Sequence, residues 1–211
     1  ESYDSDTKTI TVKRGALDTV PHLHSTDDNL FFYDQYPSYS TTQYVDSEIV
    51  EAKVLTTTPS GIQNIGDATA LPVEFDARMI RPYPPANVKI NDEYYPIAIE
   101  TDLIVTWVDR NRLQQTGGSI LGWTDAGVTL EAAVTYVVEL YDGDDVLISS
   151  ENVGAVNTKT VVLDDVTTLT AKIVLYAVRD NYESYQKFEH TFDRLSYFSE
   201  PYNLTVEFKN D

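Results

Sequence analysis

Between Arg81 and Leu140 the chain sets three prolines ahead of a series of alternating apolar runs, and that order leaves little but a β-sheet to fold into. Pro82, Pro84 and Pro85 have no amide donors, so they suit the approach to an edge strand. Val88 and Ile90 then mark a first strand. Leu103, Val105 and Trp107 alternate with Ile104 and Thr106, as do Tyr136, Val138 and Leu140 with their neighbours. A period of two gives each strand one core face. Asp142-Gly143 between two such runs predicts a hairpin into residues 146–149. Residues 160–163, 171–178 and 202–208 complete seven strands, which favours a sandwich. Residues 186–195 are rich in aromatics and lack a helix cap, so they are expected to form a long loop or hairpin insertion.

Upstream, strand-like runs fall at residues 9–13, 30–33, 49–55 and 71–75. Arg14-Gly15, Asp27-Asp28-Asn29, Pro37-Ser38 and Pro59-Ser60-Gly61 supply turn chemistry between them. The polar, Tyr-rich stretch 34–47 is expected to be an exposed loop. A break near residues 78–85 divides the 211 residues into a strand-rich domain over 1–78, barrel-like or part of a larger domain, and a sandwich over 79–211. Fifteen tyrosines reinforce the all-β expectation. Beginning at Glu1, the sequence is expected to be a piece of a longer protein.

Thirty-four acidic residues against 15 basic ones give a formal charge of −19. That balance disfavours phosphate backbones and anionic lipid as partners. It suits solubility and protection of sheet edges, or an acidic surface facing a basic subunit. With no cysteine, disulfides and thiolate metal sites are excluded. No apolar run reaches the length of a membrane-spanning helix.

The motifs Pro-Pro-Ala-Asn-Val (84–88), Val-Thr-Trp (105–107), Tyr-Val-Val-Glu-Leu (136–140), Ala-Val-Arg-Asp (177–180) and Glu-Pro-Tyr-Asn-Leu-Thr-Val (200–206) together resemble a fibronectin type III repeat. Two departures stand out. Ala171 occupies the position where that family commonly carries a corner Tyr, and residues 111–133 form a long insertion. A narrower resemblance joins residues 81–88 and 106–117 with the upstream run 12–22, Val-Lys-Arg-Gly-Ala-Leu-Asp-Thr-Val-Pro-His. Together they are similar to tail-associated structural proteins of long-tailed phages and prophages, although Asp109 stands where that family is expected to have His or Arg. This resemblance implies an architectural role in the tail tip or baseplate hub, other tail subunits as partners, and residence in the virion tail. The alternative is a bacterial secreted or cell-surface module that binds carbohydrate or protein.

No nucleophile elbow, phosphate loop or dinucleotide fingerprint is present, and no enzymatic activity or cofactor is expected. His22 and His24 alternate as metal ligands on a strand would, but no third ligand lies at motif spacing, so surface or hydrogen-bonded histidines are the favoured reading. Asp142-Gly143-Asp144-Asp145 lacks the distal bidentate Glu of a calcium loop. Asp27-Asp28-Asn29 reads as a turn or cap. The residues singled out for an interface are Arg78, Arg81, Tyr83, Arg110 and Arg112. The four arginines could clamp the two segments together, or could simply pair with nearby carboxylates. Tyr33, Tyr36, Tyr39 and Tyr44 could stack on sugars or on a partner subunit.

Overall fold

The computed structural model describes residues 2–29, 42–115 and 120–194. The expected strands at 30–33 and 202–208, together with Tyr33, Tyr36 and Tyr39, lie outside the described residues. The chain divides into two units, one of Glu1–His22 with Arg81–Asp211 and the other of Leu23–Ile80. The upper boundary falls within two residues of the break expected after residue 78. The first 22 residues do not belong with the segment that follows them. They join the later unit through contacts more than 100 residues away in sequence, which no local pattern encodes.

In chain order, β1 (Ser2–Asp4) and β2 (Thr9–Thr11) form an exposed hairpin. In the unit Leu23–Ile80, β3 (Ile49–Lys53) pairs antiparallel with β6 (Ala70–Glu74). Between them, β4 (Thr57–Thr58) pairs with β5 (Gly61–Ile62). Two separate ribbons replace the expected barrel among the described residues. Tyr44 stacks on Phe75 at 4.4 Å. Ala68 is the only buried hydrophobic residue described in this unit.

The larger unit is the sandwich. Its first sheet sets β9 (Leu103–Val108) between β12 (Thr158–Val161) and β7 (Ala86–Ile90). The second runs β11 (Leu147–Gly154), β10 (Thr135–Asp142), β13 (Thr170–Arg179), β15 (Phe188–Arg194) and the short parallel β8 (Ala98–Ile99). The short β14 (Tyr182–Glu183) also pairs with β13. Alternation selects the core: Val88 and Ile90, then Leu103, Val105 and Trp107 from one sheet, with Tyr136, Val138, Leu140, Ile173, Leu175, Phe188 and Phe192 from the other. Trp107 is 4% exposed and meets the Tyr136 ring edge-on at 5.4 Å. The buried Ala171, at the position marked for a corner Tyr, pairs with Phe192.

Two expectations change. Residues 188–194, expected in a loop or insertion, are a strand. Phe188 and Phe192 enter the core while Glu189 and Asp193 face solvent, a period-two signal obscured by the surrounding aromatics. The hairpin at Asp142-Gly143 forms, but with a three-residue loop. Asp145, not Gly143, takes the left-handed conformation (φ 61°), and the Asp142 carboxylate accepts from the amides of Asp144 and Val146. Gly143 is required by proximity instead: a Cβ there would lie 2.4 Å from Thr170 Oγ1.

Candidate functional site

Three segments that the sequence scatters meet beside the sandwich: the arm 12–22, the hairpin product 94–95 and the insertion 120–125. Gly15 makes the meeting possible. Its φ of +59° is open to glycine at low cost, and a Cβ would stand 2.9 Å from Pro21 Cδ and 3.0 Å from Trp123 Cβ. The Trp123 amide donates to the Arg14 carbonyl at 2.7 Å. Lys13 Nζ donates to the Ile120 carbonyl at 3.1 Å and reaches Asp125 at 3.4 Å. The Val20 amide donates to Gln186 Oε1. The arm is therefore held on its backbone as well as its side chains.

A cleft of about 460 Å³ opens at this junction, lined by Val12, Lys13, Arg14, Pro21, Tyr94, Tyr95 and residues 122–125. The nearly buried Trp123 lies almost parallel to Phe188 at 6.1 Å. Tyr94 and Tyr95 stand half-exposed at the cleft, and Tyr95 meets His190 edge-on at 5.5 Å. The Asp125 carboxyl is held below its ordinary range first by the Gly122 amide and then by Lys13. Burial pushes the Tyr95 hydroxyl up, so it stays protonated and can donate. Aromatic faces with one carboxylate, one ammonium and one guanidinium can orient a small polar ligand by stacking and hydrogen bonds.

The residues singled out from sequence take different positions. Arg110 and Arg112, singled out for an interface, are turned inward. Arg110 is 2% exposed; its Nη2 donates to the carbonyls of Gly122 at 2.7 Å and Trp123 at 3.2 Å, and its Nη1 to that of Asp109. Burial lowers its pKa from the usual guanidinium value. It pins the floor of the cleft from beneath. Arg112 Nη2 meets the buried Glu131 at 2.9 Å, and Arg179, from the end of β13, bonds the same carboxylate oxygen. Arg81 donates to the Glu183 carbonyl and lies 5.9 Å from the centre of the Tyr182 ring. Tyr83 is half-buried among the buried Pro82, Pro84 and Pro85. Arg78 is exposed in the unit Leu23–Ile80. Within the sandwich unit, Arg112 thus meets a carboxylate, while Arg81 and Arg110 donate to backbone carbonyls.

Hydrogen bonds hold the described residues of the insertion 111–133. Asn111 caps the single turn α1 (Arg112–Gln115), its Oδ1 accepting from the amides of Leu113 and Gln114, and its Nδ2 donates to the Thr129 carbonyl. Asp109, where His or Arg was expected, accepts from the Tyr136 hydroxyl at 2.9 Å and from Asn157 at 2.6 Å. A cation there could not accept from that buried hydroxyl. His24 pairs with Asp28, which also accepts from the amide and hydroxyl of Ser25, and the Asp28 amide donates to the Ser25 carbonyl, so the turn spans Ser25–Asp28. His190 Nε2 contacts the Pro96 carbonyl at 2.8 Å. Among the described residues no three His, Asp or Glu side chains converge as metal ligands. The cleft itself escaped sequence reasoning; the Gly15–Pro21 spacing, a left-handed residue followed by a rigid one, was its faint signal.

Fold and cleft together define an all-β chain built on a β-sandwich. No protein-family model matches it, and no curated protein matches it. Among solved structures it is similar to a protein from a study titled "Computer-Based Redesign of a beta Sandwich Protein Suggests that Extensive Negative Design Is Not Required for De Novo beta Sheet Design." The identity is 15% and the TM-score 0.31, covering 53% of this chain and 88% of that one.

Proposed function

We propose that the chain is a non-enzymatic structural component of a long-tailed phage or prophage tail. Its place is the tail tip or baseplate hub region, where it docks other tail subunits at fixed geometry. The observation that carries a rigid role is the use of buried charge. Glu131 ties α1 to the end of β13 through Arg112 and Arg179, and Arg110 ties the cleft floor to the end of β9. A long insertion fixed at both ends by ionic and carbonyl contacts suits a module that sets distances. The strand order β12-β9-β7 facing β11-β10-β13-β15 is the order that a fibronectin type III-like sandwich implies, and it supports that finer reading of the larger unit. The unit Leu23–Ile80 leaves and re-enters the sequence of the sandwich unit, so it is tethered at both ends.

The cleft favours a second reading, a cell-surface or secreted carbohydrate- or protein-binding module. Tyr94 and Tyr95 offer ring surface beside the charged pair Lys13 and Asp125. Mass spectrometry of density-purified tail particles separates the two. Peptides of this chain at constant stoichiometry with other tail proteins are the expected result. Their absence from particles, with recovery in the cell envelope or culture medium, would refute the tail role.

A further inference from the structure

The ribbon formed by β3 and β6 is an unfinished sheet. Its register pairs Val50 with Val73 and Ala52 with Leu71 on one face, while Ile49, Glu51 and Lys53 stand opposite Glu74, Pro72 and Ala70 on the other. The first face is apolar yet uncovered: Leu71 is 57% exposed and Val73 44%. A two-stranded ribbon with an open apolar face is marginal in water, and a third strand is the usual remedy.

The two edges of the ribbon are not equivalent. Just beyond β6, the Phe75 amide donates to the Glu48 carbonyl, and the Ser47 amide donates to the Phe75 carbonyl. Hydrogen-bonding direction alternates along a strand. Leu71 and Val73 therefore point their backbone groups toward β3, and Pro72 points outward, where it has no amide to offer. The outer edge of β6 is blocked at its centre. On β3 the outward backbone groups are those of Ile49, Glu51 and Lys53, and among the described residues β3 pairs with no strand except β6.

We infer that the free edge of β3 receives a strand from a partner protein, one that alternates apolar and basic residues. Its apolar side chains would extend the face of Val50, Ala52, Leu71 and Val73. Its cations would lie on the opposite face, beside Glu51 and near Glu74, where Lys53 is the only basic residue. Lys53 is already directed to the Ile65 carbonyl at 3.1 Å. Charge argues against a second copy as the occupant. The stretch 23–80 holds nine carboxylates against Lys53 and Arg78, and antiparallel pairing of two β3 strands centred on Glu51 would set the two Glu51 side chains against each other. Main-chain bonds would supply affinity and the alternation specificity.

The assignment deepens the docking role proposed above, and the two fail separately, because the test below needs no tail particle. The full chain is titrated by fluorescence anisotropy with a short labelled peptide alternating Val and Lys, and with its counterpart alternating Val and Glu. The Val-Lys peptide is expected to bind. Glu51→Pro, which removes an outward donor and leaves the β3–β6 ladder intact, should weaken it by about tenfold or more. Glu51→Lys/Glu74→Lys should shift the preference to the Val-Glu peptide, a gain that unfolding cannot produce. Equal binding of both peptides to the unaltered chain, or no loss in Glu51→Pro together with no switch in the charge-reversed variant, would overturn the inference. So would self-association in sedimentation equilibrium that Glu51→Pro abolishes, since the occupant would then be a second copy.

Discussion

Replacing Glu131 by alanine should be among the most damaging single changes outside the apolar core. The carboxylate is 4% exposed and meets Arg112 Nη2 at 2.9 Å; Arg179 bonds the same oxygen, and the Arg112 amide donates to the other at 3.3 Å. The Arg112 and Arg179 side chains are themselves only 19% and 11% exposed. Two opposite charges about 4 Å apart attract by roughly 4 kcal/mol at an effective dielectric of 20, before desolvation is subtracted. Desolvation is already incurred by the arginines when the carboxylate is deleted, and two like charges then face each other. Breaking such a pair from one side costs about 3–5 kcal/mol. Urea unfolding followed by the emission of Trp107 and Trp123 measures the loss. Glu131→Gln, which keeps shape and one acceptor, should fall between the two. The triple change Glu131→Leu/Arg112→Met/Arg179→Met should recover most of the loss, because it removes all three charges together. A loss below about 1 kcal/mol in Glu131→Ala, or a triple variant no more stable than the single one, would show that water reaches this site and that the insertion is not fixed by it.

Trp107→Ala should cost about 3–5 kcal/mol in the same assay, since the ring fills the space between the sheets against Tyr136; a surface-sized loss would refute the packing. Burial, then Asp109, raise the Tyr136 pKa above its ordinary value. The folded form retains a proton that the unfolded chain releases near pH 10, so this stabilisation is complete below about pH 10 and falls as pH rises further. Tyr136→Phe should flatten the decline of stability in that alkaline range, and an unchanged slope would count against the shift. Limited digestion with proteinase K should leave residues 81–90 uncut, because Pro82, Pro84 and Pro85 are buried; first cuts at 81–85 would mark a loose junction.

Alternation made β7 and β9 legible, because each buries every second residue, and the same core face reads through β10 and β13 although these also bury Val137, Val174 and Tyr176 on the outer face. The same rule held for β15, but Phe188, His190 and Phe192 sit in the stretch 186–195, whose aromatics and missing helix cap suggested a loop or hairpin insertion. Trp107 could be assigned to the core from sequence; the burial of Arg110 could not. Its acceptors are backbone carbonyls at 122 and 123, and carbonyls leave no mark in a sequence. Reading arginines by their charge partners therefore missed this one. The union of the first 22 residues with the sandwich was hidden for a similar reason. The Arg14–Trp123 bond is main chain to main chain, and only Gly15 hinted that something approached closely.

The outer face of the larger sheet and the apolar face of the β3–β6 ribbon behave differently, and the difference separates a closed surface from one left for a partner. On the outer face of the larger sheet, Val137, Val174 and Tyr176 are buried beside Tyr141 and Val178. Glu139 accepts from the hydroxyls of Tyr141 and Tyr176, both at 2.9 Å, and Lys187 and Lys172 lie over the two rings at 3.7 and 4.8 Å. Long charged side chains thus roof the patch while keeping their heads in water. Burial and then Glu139 raise the Tyr176 hydroxyl, and Glu139 and then burial raise that of Tyr141, so both phenols donate to Glu139 throughout the neutral range. Among the described residues the β3–β6 ribbon carries no such roof. The one lysine on its strands, Lys53, alternates onto the far face with the glutamates and donates to the Ile65 carbonyl. A chain of this charge has acids enough to shield a patch; withholding cations from one face while leaving one edge open is the arrangement a basic, extended partner would complete.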